Sequence, residues 1–392
     1  MMRCELLRWV ATGRRPALPI VLALAAISSA HAQTPVDGYA PALDGEIHAI
    51  VALADGHSVV GGFFSTVAGA SCSSLCRFTV DGQIAAGFEG TVANNTVFAL
   101  RSQADGKVLV GGLFTSVLGQ PRSRLARLNA DGSLDASFNP IVDDGTVQAI
   151  ALQADGKILI GGTFNGVGGF GRPKLARLFA DGRLDTGFAV IGNGTVNAIV
   201  ELTGGRVLVG GEFSNFGGAG GNNLVRLLAD GTLNSGADLA ANGPVLALAR
   251  EANGRIVVGG DFTQIGFQAR PRLGRLLVDG SVSFSALPAA NGSVRSLLVL
   301  DDGDVLVGGD FSTIGNLGRQ GMARLQRGEV VLPDYAPSVG GGRVATLAVQ
   351  PDGHVLIGGG FTTVNTSQQR SLARLHPRGD LDTNFEVDAT SD

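Results

Sequence analysis

The chain is poor in the side chains that most often carry catalysis or bind metals. Its 392 residues include five histidines, three cysteines, two tyrosines and one tryptophan. The histidines do not stand at metal-ligand spacing, and neither a Gly-x-Ser-x-Gly elbow nor an Asp-x-Asp-x-Asp-Gly calcium loop occurs. Because Tyr39 and Tyr335 are the only tyrosines, aromatic platforms for sugars are also scarce. We therefore predict no catalytic residue, no metal and no cofactor, although carboxylates from different repeats could still meet.

Apolar runs long enough to cross a bilayer are missing, and the longest apolar run lies near the start. Arginines at positions 3, 8, 14 and 15 precede the apolar segment 17–27, and the small residues Ala30-His31-Ala32 follow it. This order is typical of a secretory signal peptide. A membrane anchor would need roughly 20 apolar residues, and Pro19 interrupts this shorter run. We predict cleavage near Ala32 and a periplasmic or secreted mature protein.

The charge balance gives no reason to expect nucleic acid as a partner. The chain has 30 basic and 34 acidic residues, and removing residues 1–32 leaves 26 and 33, a net charge of −7. A nucleic-acid-binding domain usually carries a basic surface. We predict that residues 33–392 form one domain, that the protein is a monomer, and that it has no membrane span after signal removal.

Glycine, by contrast, is abundant and periodic. A Gly-Gly pair recurs every 49 or 50 residues, at Gly61-Gly62, Gly111-Gly112, Gly161-Gly162, Gly210-Gly211, Gly259-Gly260, Gly308-Gly309 and Gly358-Gly359. Such a period without a helical pattern indicates repeated β-sheet units. Neither end of the array has a polar capping repeat, which favours a closed ring. We predict an all-β, seven-bladed β-propeller with repeats starting near residues 47, 97, 147, 196, 245, 294 and 344.

Each repeat contains four apolar or β-branched segments. In the third repeat they are 147–153, 157–164, 174–180 and 183–188, which predicts four-stranded blades. Asp-Gly joins the first two segments and the last two, as expected for two-residue type I′ hairpin turns. The Gly-Gly pair, which lacks Cβ atoms, predicts that a neighbouring segment of the backbone approaches closely at this point. Phosphate binding there would need a following helix, and no helical pattern follows.

These motifs together carry a family resemblance. Leu152-Gln153-Ala154-Asp155-Gly156-Lys157 is followed by Gly161-Gly162-Thr163-Phe164, then by Leu175-Ala176-Arg177-Leu178, Ala180-Asp181-Gly182 and Leu184-Asp185-x-x-Phe188. The series resembles the delta-sixty repeat of bacterial secreted and surface proteins, and it covers nearly all of the mature chain. The resemblance implies a β-propeller and leaves the function open.

One arginine stands in the third segment of every repeat, at Arg77, Arg127, Arg177, Arg226, Arg275, Arg324 and Arg374. A ring of arginines around an anion is one interpretation. The flanking leucines favour another, in which each guanidinium is partly buried and ties its blade to a neighbour. The Asp of the Leu-Asp motif cannot be the sole partner, because Ala85, Asn234 and Ser283 replace it in three repeats.

A second group of basic residues occupies the variable loops after the second segments. If the four segments alternate in direction, both Asp-Gly turns lie on one face, the turn face, and these loops lie on the other, the loop face. The candidate binding residues on the loop face are Arg122, Arg172, Arg270, Arg272, Arg319 and Arg370. We predict that they contact an anionic glycan or an envelope protein; a solvated basic rim is the alternative.

Cys72 and Cys76 are the only cysteines outside the predicted signal peptide. In an oxidising compartment, two cysteines four residues apart can form a small disulfide, and the other ligands of a cysteine metal site are missing. We predict a structural disulfide. For the whole protein we predict a non-enzymatic binding scaffold. The alternatives are an extracellular lyase or hydrolase acting on polysaccharides from the loop face, and a passive structural component of the envelope.

Overall fold

The computed structural model describes residues 43–90, 92–218, 221–234 and 239–385, all within one compact unit that spans Tyr39–Asp392. The predicted signal peptide, its cleavage position and the segment Val36–Pro41, which resembles a fourth strand, lie outside the described residues. No helix that could cross a membrane occurs in the described part of the chain. A short 3-10 turn at Thr203–Gly205 is the one helical element there.

The described residues form seven antiparallel sheets of the same order, one per repeat. The first strands are Glu46–Ala52, Val97–Ser102, Val147–Leu152, Thr195–Glu201, Val245–Arg250, Val294–Val299 and Val344–Val349. The second strands are Ser58–Phe63, Val108–Gly112, Ile158–Gly162, Val207–Glu212, Ile256–Gly260, Val305–Gly309 and Val355–Gly359. The third strands are Leu75–Phe78, Leu125–Leu128, Leu175–Leu178, Leu224–Leu227, Leu273–Leu276, Met322–Gln326 and Leu372–Leu375. We number the sheets 1 to 7 in chain order.

The fourth segment of each repeat is shorter than predicted. In sheet 6 it forms a strand, Val330–Val331, but in the other six sheets only a single bridge joins it to the third strand, as between Leu178 and Leu184. In sheet 3 the Phe188 N–H bonds to the Asp185 carbonyl, and this turn leads the chain out of the ladder directly after the bridge. Sheet 1 forms the same backbone turn although Ala85 replaces the aspartate.

Short hairpins, each made of two strands of two residues, lie between the second and third strands of six sheets, at the opposite end from the Asp-Gly turns. They are Thr66–Val67 with Ala70–Ser71, Ser116–Val117 with Gln120–Pro121, Gly166–Val167 with Phe170–Gly171, Gln264–Ile265 with Gln268–Ala269, Thr313–Ile314 with Leu317–Gly318, and Thr363–Val364 with Ser367–Gln368. In repeat 7 the short strand Val339–Gly340 also pairs with Thr363–Val364. These hairpins build the loop face.

The Asp-Gly turns are hairpin turns, but the predicted type I′ is wrong. The Gln153 N–H bonds to the Lys157 carbonyl, which leaves three residues in the loop. Gly156 alone of these three has a positive φ, of 82°. Its N–H bonds to the Gln153 carbonyl, so the loop is a type I turn closed by a left-handed glycine. The Asp155 carboxylate then accepts the Lys157 N–H, which explains why aspartate suits this position.

The sheets pack face to face through apolar side chains. A Cβ at Gly161 would lie 2.9 Å from the Cδ1 of Ile199 in the next sheet, so the first glycine of the pair admits the neighbouring sheet. Phe164 and its six equivalents are buried. The first strand of sheet 1 packs against the first strand of sheet 7, which closes the ring. The prediction of an all-β propeller is confirmed.

Candidate functional site

The recurring arginine of the third strand joins each sheet to the next. In every case one guanidinium nitrogen donates to a backbone carbonyl in the turn after the next sheet's third strand. The acceptor is the carbonyl of Ala130 for Arg77, Ala180 for Arg127, Ala229 for Arg177, Asp279 for Arg226, Arg327 for Arg275, Pro377 for Arg324 and Val80 for Arg374. Six of these arginines are buried and Arg324 is half-buried. The contacts place the seven guanidinium groups between sheets.

The acidic partner of this arginine comes from different places in different repeats. Asp135, Asp185 and Asp382 of the Leu-Asp motif pair with the arginines of sheets 2, 3 and 7. The other partners are Asp55 for the arginine of sheet 1, Glu251 and Glu329 for that of sheet 5, and Asp302 and Asp304 for that of sheet 6. Among the described residues no acid pairs with Arg226 of sheet 4. The arginine is therefore present in every repeat, whereas the acidic residue that pairs with it comes from different positions in different repeats.

The loop-face arginines are less accessible than predicted. Arg122, Arg270 and Arg319 are buried, Arg172 and Arg272 are half-buried, and Arg370 is exposed. In Arg319 the Nη1 donates to the Gly318 carbonyl at 2.7 Å and the Nη2 to the Pro333 carbonyl at 2.7 Å. Arg122 and Arg172 make the same two kinds of contact.

Arg122, Arg270 and Arg319 are therefore buried rather than displayed on the loop face, and the contact of the loop-face arginines with an anionic partner stays a prediction. The guanidinium groups of the three buried arginines pair with backbone carbonyls at the end of their own repeat, because a buried carbonyl requires a donor. Arg272 bonds to Asp261, through both the carbonyl and the carboxylate. Cys72 holds the place of these arginines in repeat 1, and it forms the predicted disulfide with Cys76.

A different set of residues meets at the axis of the ring. In each first strand the pairing register shifts by one residue, which leaves one bulged residue near the loop face. In sheet 3 the bulge is Gln148. A Cβ at Gly162 would lie 3.1 Å from the Gln148 backbone nitrogen and closer still to the Thr146 carbonyl. The second glycine of the pair therefore makes room for the bulge, and the bulge redirects a side chain.

The seven bulged residues line one cavity of about 310 Å³, which we call the channel mouth. They are His48, Phe98, Gln148, Asn197, Leu246, Arg295 and Ala345. Each is half-buried. Glu46 and Arg343 complete the lining. The seven positions are structurally equivalent, yet no two carry the same residue.

Charge at the channel mouth is arranged in pairs. The Arg343 Nη2 lies 2.7 Å from the Glu46 Oε2, across the junction of sheets 7 and 1. The Arg295 Nη2 lies 2.7 Å from the Asp310 Oδ2, and this hydrogen bond raises the pKa of Arg295 against the opposing effect of burial. Burial lowers the pKa of His48 although Glu46 opposes the shift. The His48 ring lies beside Phe98, with centroids 5.1 Å apart.

A further cation, Arg101, lies on the first strand of sheet 2. This strand is covered by sheets 1 and 3 on its two faces and by its own second strand at one edge, yet Arg101 is exposed. The one open side of the strand is the side toward the axis, and we infer that the guanidinium extends in that direction. Surrounding protein removes part of its hydration, and this burial lowers the pKa of Arg101.

Two features mark Arg101 as unusual. It makes no ion pair or side-chain hydrogen bond with the described residues. Its equivalents in the other six repeats are all apolar: Val51, Ala151, Val200, Ala249, Leu298 and Ala348. Sequence reasoning missed both Arg101 and the channel mouth. Aligning the repeats on their Gly-Gly pairs would have revealed them as the places where otherwise matching repeats disagree.

The geometry defines a class of protein, the β-propeller. The residues at its channel mouth differ from repeat to repeat, whereas the residues that pack the sheets together recur. The sequence matches the family described as "Domain of unknown function (DUF5122) beta-propeller" at residues 53–88, 103–138, 153–188, 205–236, 251–282 and 350–385. These segments make up more than half of the chain, and the chain belongs to this family. The resemblance to a propeller repeat family is confirmed. A search among curated protein sequences found no significant match.

Solved structures agree on the fold. The WD40 β-propeller domain of Doa1 is similar with a TM-score of 0.50 and 12% identity, covering 86% of this chain and 94% of that one. An extracellular domain from B. thetaiotaomicron has a TM-score of 0.49 and 15% identity, over 84% and 38% of the two chains. Virginiamycin B lyase from Staphylococcus aureus has a TM-score of 0.49 and 10% identity, over 80% and 92%. At 12% identity the likeness to the Doa1 domain shows the fold alone.

Proposed function

We propose that this protein is a non-enzymatic binding module whose ligand enters the channel mouth on the loop face. The observation that carries the proposal is the variation at the bulged position. Frame positions such as Phe164 and Arg177 keep one residue type in all seven repeats, whereas the bulged position has seven different residues. A position that faces a cavity has no packing partner to satisfy, so its side chain is free to suit a ligand.

The ligand class follows from the chemistry of the lining. Gln148 and Asn197 offer amide donors and acceptors on neighbouring strands, and Phe98 offers an apolar face. Three residues further along the strand from Phe98, Arg101 offers a cation that makes no ion pair with the described residues. A polar ligand that carries an acidic group, such as the end of an acidic glycan, satisfies all three. The predicted signal peptide supports a ligand in the periplasm or outside the cell.

The observations give less support to a polysaccharide-acting enzyme. Glycoside hydrolysis usually needs two carboxyl groups that flank the bond to be cleaved. Glu46 is the one acidic residue that lines the channel mouth in the described part of the chain, and it is paired with Arg343. The Glu46 carboxylate is thus occupied by the Arg343 guanidinium, and no second carboxyl group lines the mouth among the described residues. The lining therefore fits binding better than acid–base chemistry.

A thermal-shift screen tests the proposal, since a ligand that binds the native state raises the melting temperature. The mature protein is screened against oligosaccharides that contain uronic acids and against matched neutral oligosaccharides. We expect stabilisation by acidic members, decreasing as salt rises. Arg101→Ala should abolish it, and this substitution restores the residue found in sheets 3, 5 and 7.

The matched control is Arg183→Ala, which removes an exposed cation on the turn face, where Arg183 pairs with Asp181. It should leave the ligand response unchanged. Arg101→Ala should also keep or raise the melting temperature of the free protein, because an unpaired, partly desolvated cation is removed. If no acidic ligand stabilises the protein, or if both variants respond alike, the channel mouth is not the binding site.

A further inference from the structure

Three potential metal ligands lie together at the turn-face end of sheet 7. The Nε2 of His354 is 2.9 Å from the Nδ1 of His376 and 3.8 Å from the Oδ2 of Asp382. The histidines are half-buried and Asp382 is buried. This is the one such group of three or more histidine, cysteine or acidic side chains that the described residues contain.

The ladder of sheet 7 explains why residues so far apart in sequence converge. Val355 pairs with Leu375, so His354 and His376 occupy the next position of the same antiparallel pair. Leu375 in turn bridges Leu381, so Asp382 lies opposite Arg374, which is two residues from His376. Side chains two residues apart in a strand, and those directly opposite in neighbouring strands, point to the same face of the sheet. The three side chains therefore project from one face of sheet 7.

Equivalent positions in the other sheets show that this combination is particular to sheet 7. In sheet 3 they hold Lys157, Phe179 and Asp185, and the Lys157 ammonium lies 3.3 Å from the carboxylate. Sheet 1 keeps a histidine, His57, but its other two positions hold Thr79 and Ala85. In sheet 7 a cation-to-carboxylate contact is thus replaced by two imidazoles beside the same carboxylate.

The surroundings orient the histidines as the outer shell of a metal site does. The Asp352 Oδ2 lies 3.0 Å from the Nδ1 of His354, although the pair lacks the alignment of a good hydrogen bond. A carboxylate beside Nδ1 favours the proton there and leaves the Nε2 lone pair toward His376. Asp382 accepts bonds from the Arg374 Nε at 2.7 Å and from the Asn384 N–H at 3.0 Å. Each of its oxygens keeps a lone pair.

We propose that His354 Nε2, His376 Nδ1 and an Asp382 carboxylate oxygen bind one divalent transition-metal ion of the zinc type. Bonds of about 2.1 Å in a tetrahedral site place ligand atoms roughly 3.4 Å apart, and the separations of 2.9 and 3.8 Å bracket that distance. Two imidazoles and one carboxylate are a donor set that Zn²⁺ accepts, with water as fourth ligand. On binding, the proton between the two rings moves from the Nδ1 of His376 to its Nε2, so that both imidazoles bind the ion as neutral ligands.

Isothermal titration of the untagged mature protein with Zn²⁺ tests the proposal. We expect one site per chain. His354→Lys introduces the lysine of sheet 3, and His376→Asn introduces the residue of sheet 2, Asn129, so both variants should fold. Each should weaken Zn²⁺ binding by at least about tenfold. The control His57→Lys alters the equivalent histidine of sheet 1 and should leave the affinity unchanged.

Circular dichroism and melting curves without metal establish that the variants are folded. Absence of Zn²⁺ binding by the wild-type protein overturns the proposal. So does an equal loss in His57→Lys, which would indicate that surface histidines in general bind the ion. Since the site is on the turn face, this result is independent of the ligand test at the channel mouth.

Discussion

The Nη1 of Arg374 donates a hydrogen bond to the carbonyl of Val80 at 2.7 Å, although 294 positions separate the two residues. The contact joins sheet 7 to sheet 1 in the same way as Arg177 joins sheet 3 to sheet 4, where its Nη1 lies 2.6 Å from the Ala229 carbonyl. The junction that closes the ring is therefore built like the others.

The first prediction concerns this recurring arginine. The Arg177 guanidinium bonds to Asp185 and Ala229 and lies over the Phe188 ring, with 4.5 Å between the guanidinium carbon and the ring centroid. Arg177→Ala leaves a buried carboxylate and a buried carbonyl without donors. We expect the free energy of unfolding to fall by about 1–3 kcal/mol, measured by chemical denaturation.

Arg226→Ala is the matched comparison. Arg226 is as buried as Arg177 and donates to the Asp279 carbonyl, but no acid pairs with it among the described residues. Its removal strands a carbonyl and no carboxylate, so we expect the smaller loss of the two. If Arg226→Ala lowered the free energy of unfolding as much as Arg177→Ala or more, the unpaired carboxylate would not be the main reason why Arg177→Ala destabilises the protein.

The second prediction concerns acid. Burial alone raises the pKa of Asp185, but the hydrogen bond and charge of Arg177 outweigh it and hold the pKa below the usual 3.8. Asp382 behaves likewise, with the Asn384 N–H and Arg374 lowering its pKa. Because the native state favours the ionised form, this stabilisation is complete above the unfolded-state pKa. It is lost as pH falls below about 4 and through the lower native values.

Melting temperatures measured between neutral pH and pH 2 check this. Asp185→Asn should melt lower than wild type at pH 7 and lose less further stability on acidification, since one linked carboxyl is gone. If the variant and the wild type lose the same stability between pH 5 and pH 2, Asp185 does not contribute to the loss of stability in acid.

The third prediction separates the loop-face arginines. Arg319 is buried with its guanidinium on two carbonyls, whereas Arg370 is exposed. Arg319→Glu places an anion against those carbonyls and should lower the melting temperature markedly. Arg370→Glu changes the net charge equally and should leave it nearly unchanged. Similar melting curves for the two variants would contradict the buried role of Arg319.

The fourth prediction concerns Cys72 and Cys76, which are buried and bonded to each other. The disulfide closes a very short loop, so its effect on the unfolded chain is limited to about 2 kcal/mol. We expect reduction, or Cys76→Ser with Cys72→Ser, to lower the melting temperature modestly without loss of the fold. Complete unfolding on reduction would show that the disulfide does more than restrict the chain.

The repeat period and its invariant positions determined the architecture from sequence. Each Gly-Gly pair, each Phe and each Arg recurs in the same local setting, so one repeat predicts the others and the sheets follow from short-range patterns. The type of turn and the length of the fourth segment did not follow. They depend on local turn hydrogen bonds, such as those that the Asp155 carboxylate accepts from the Lys157 N–H and the Asp185 carbonyl from the Phe188 N–H, which compete with strand pairing within a few residues.

The candidate sites were decided by tertiary structure alone. Gln148 and its equivalents meet because a bulge turns one residue from each repeat toward a common axis, and only ring closure makes seven distant residues neighbours. His354 and Asp382 adjoin because the ladder register places them on the same face of sheet 7, on either side of its third strand. Arg319 is buried where the end of its own repeat supplies the Pro333 carbonyl as a hydrogen-bond acceptor. Such contacts join positions whose separation is set by packing, and a local pattern in the sequence carries no record of them.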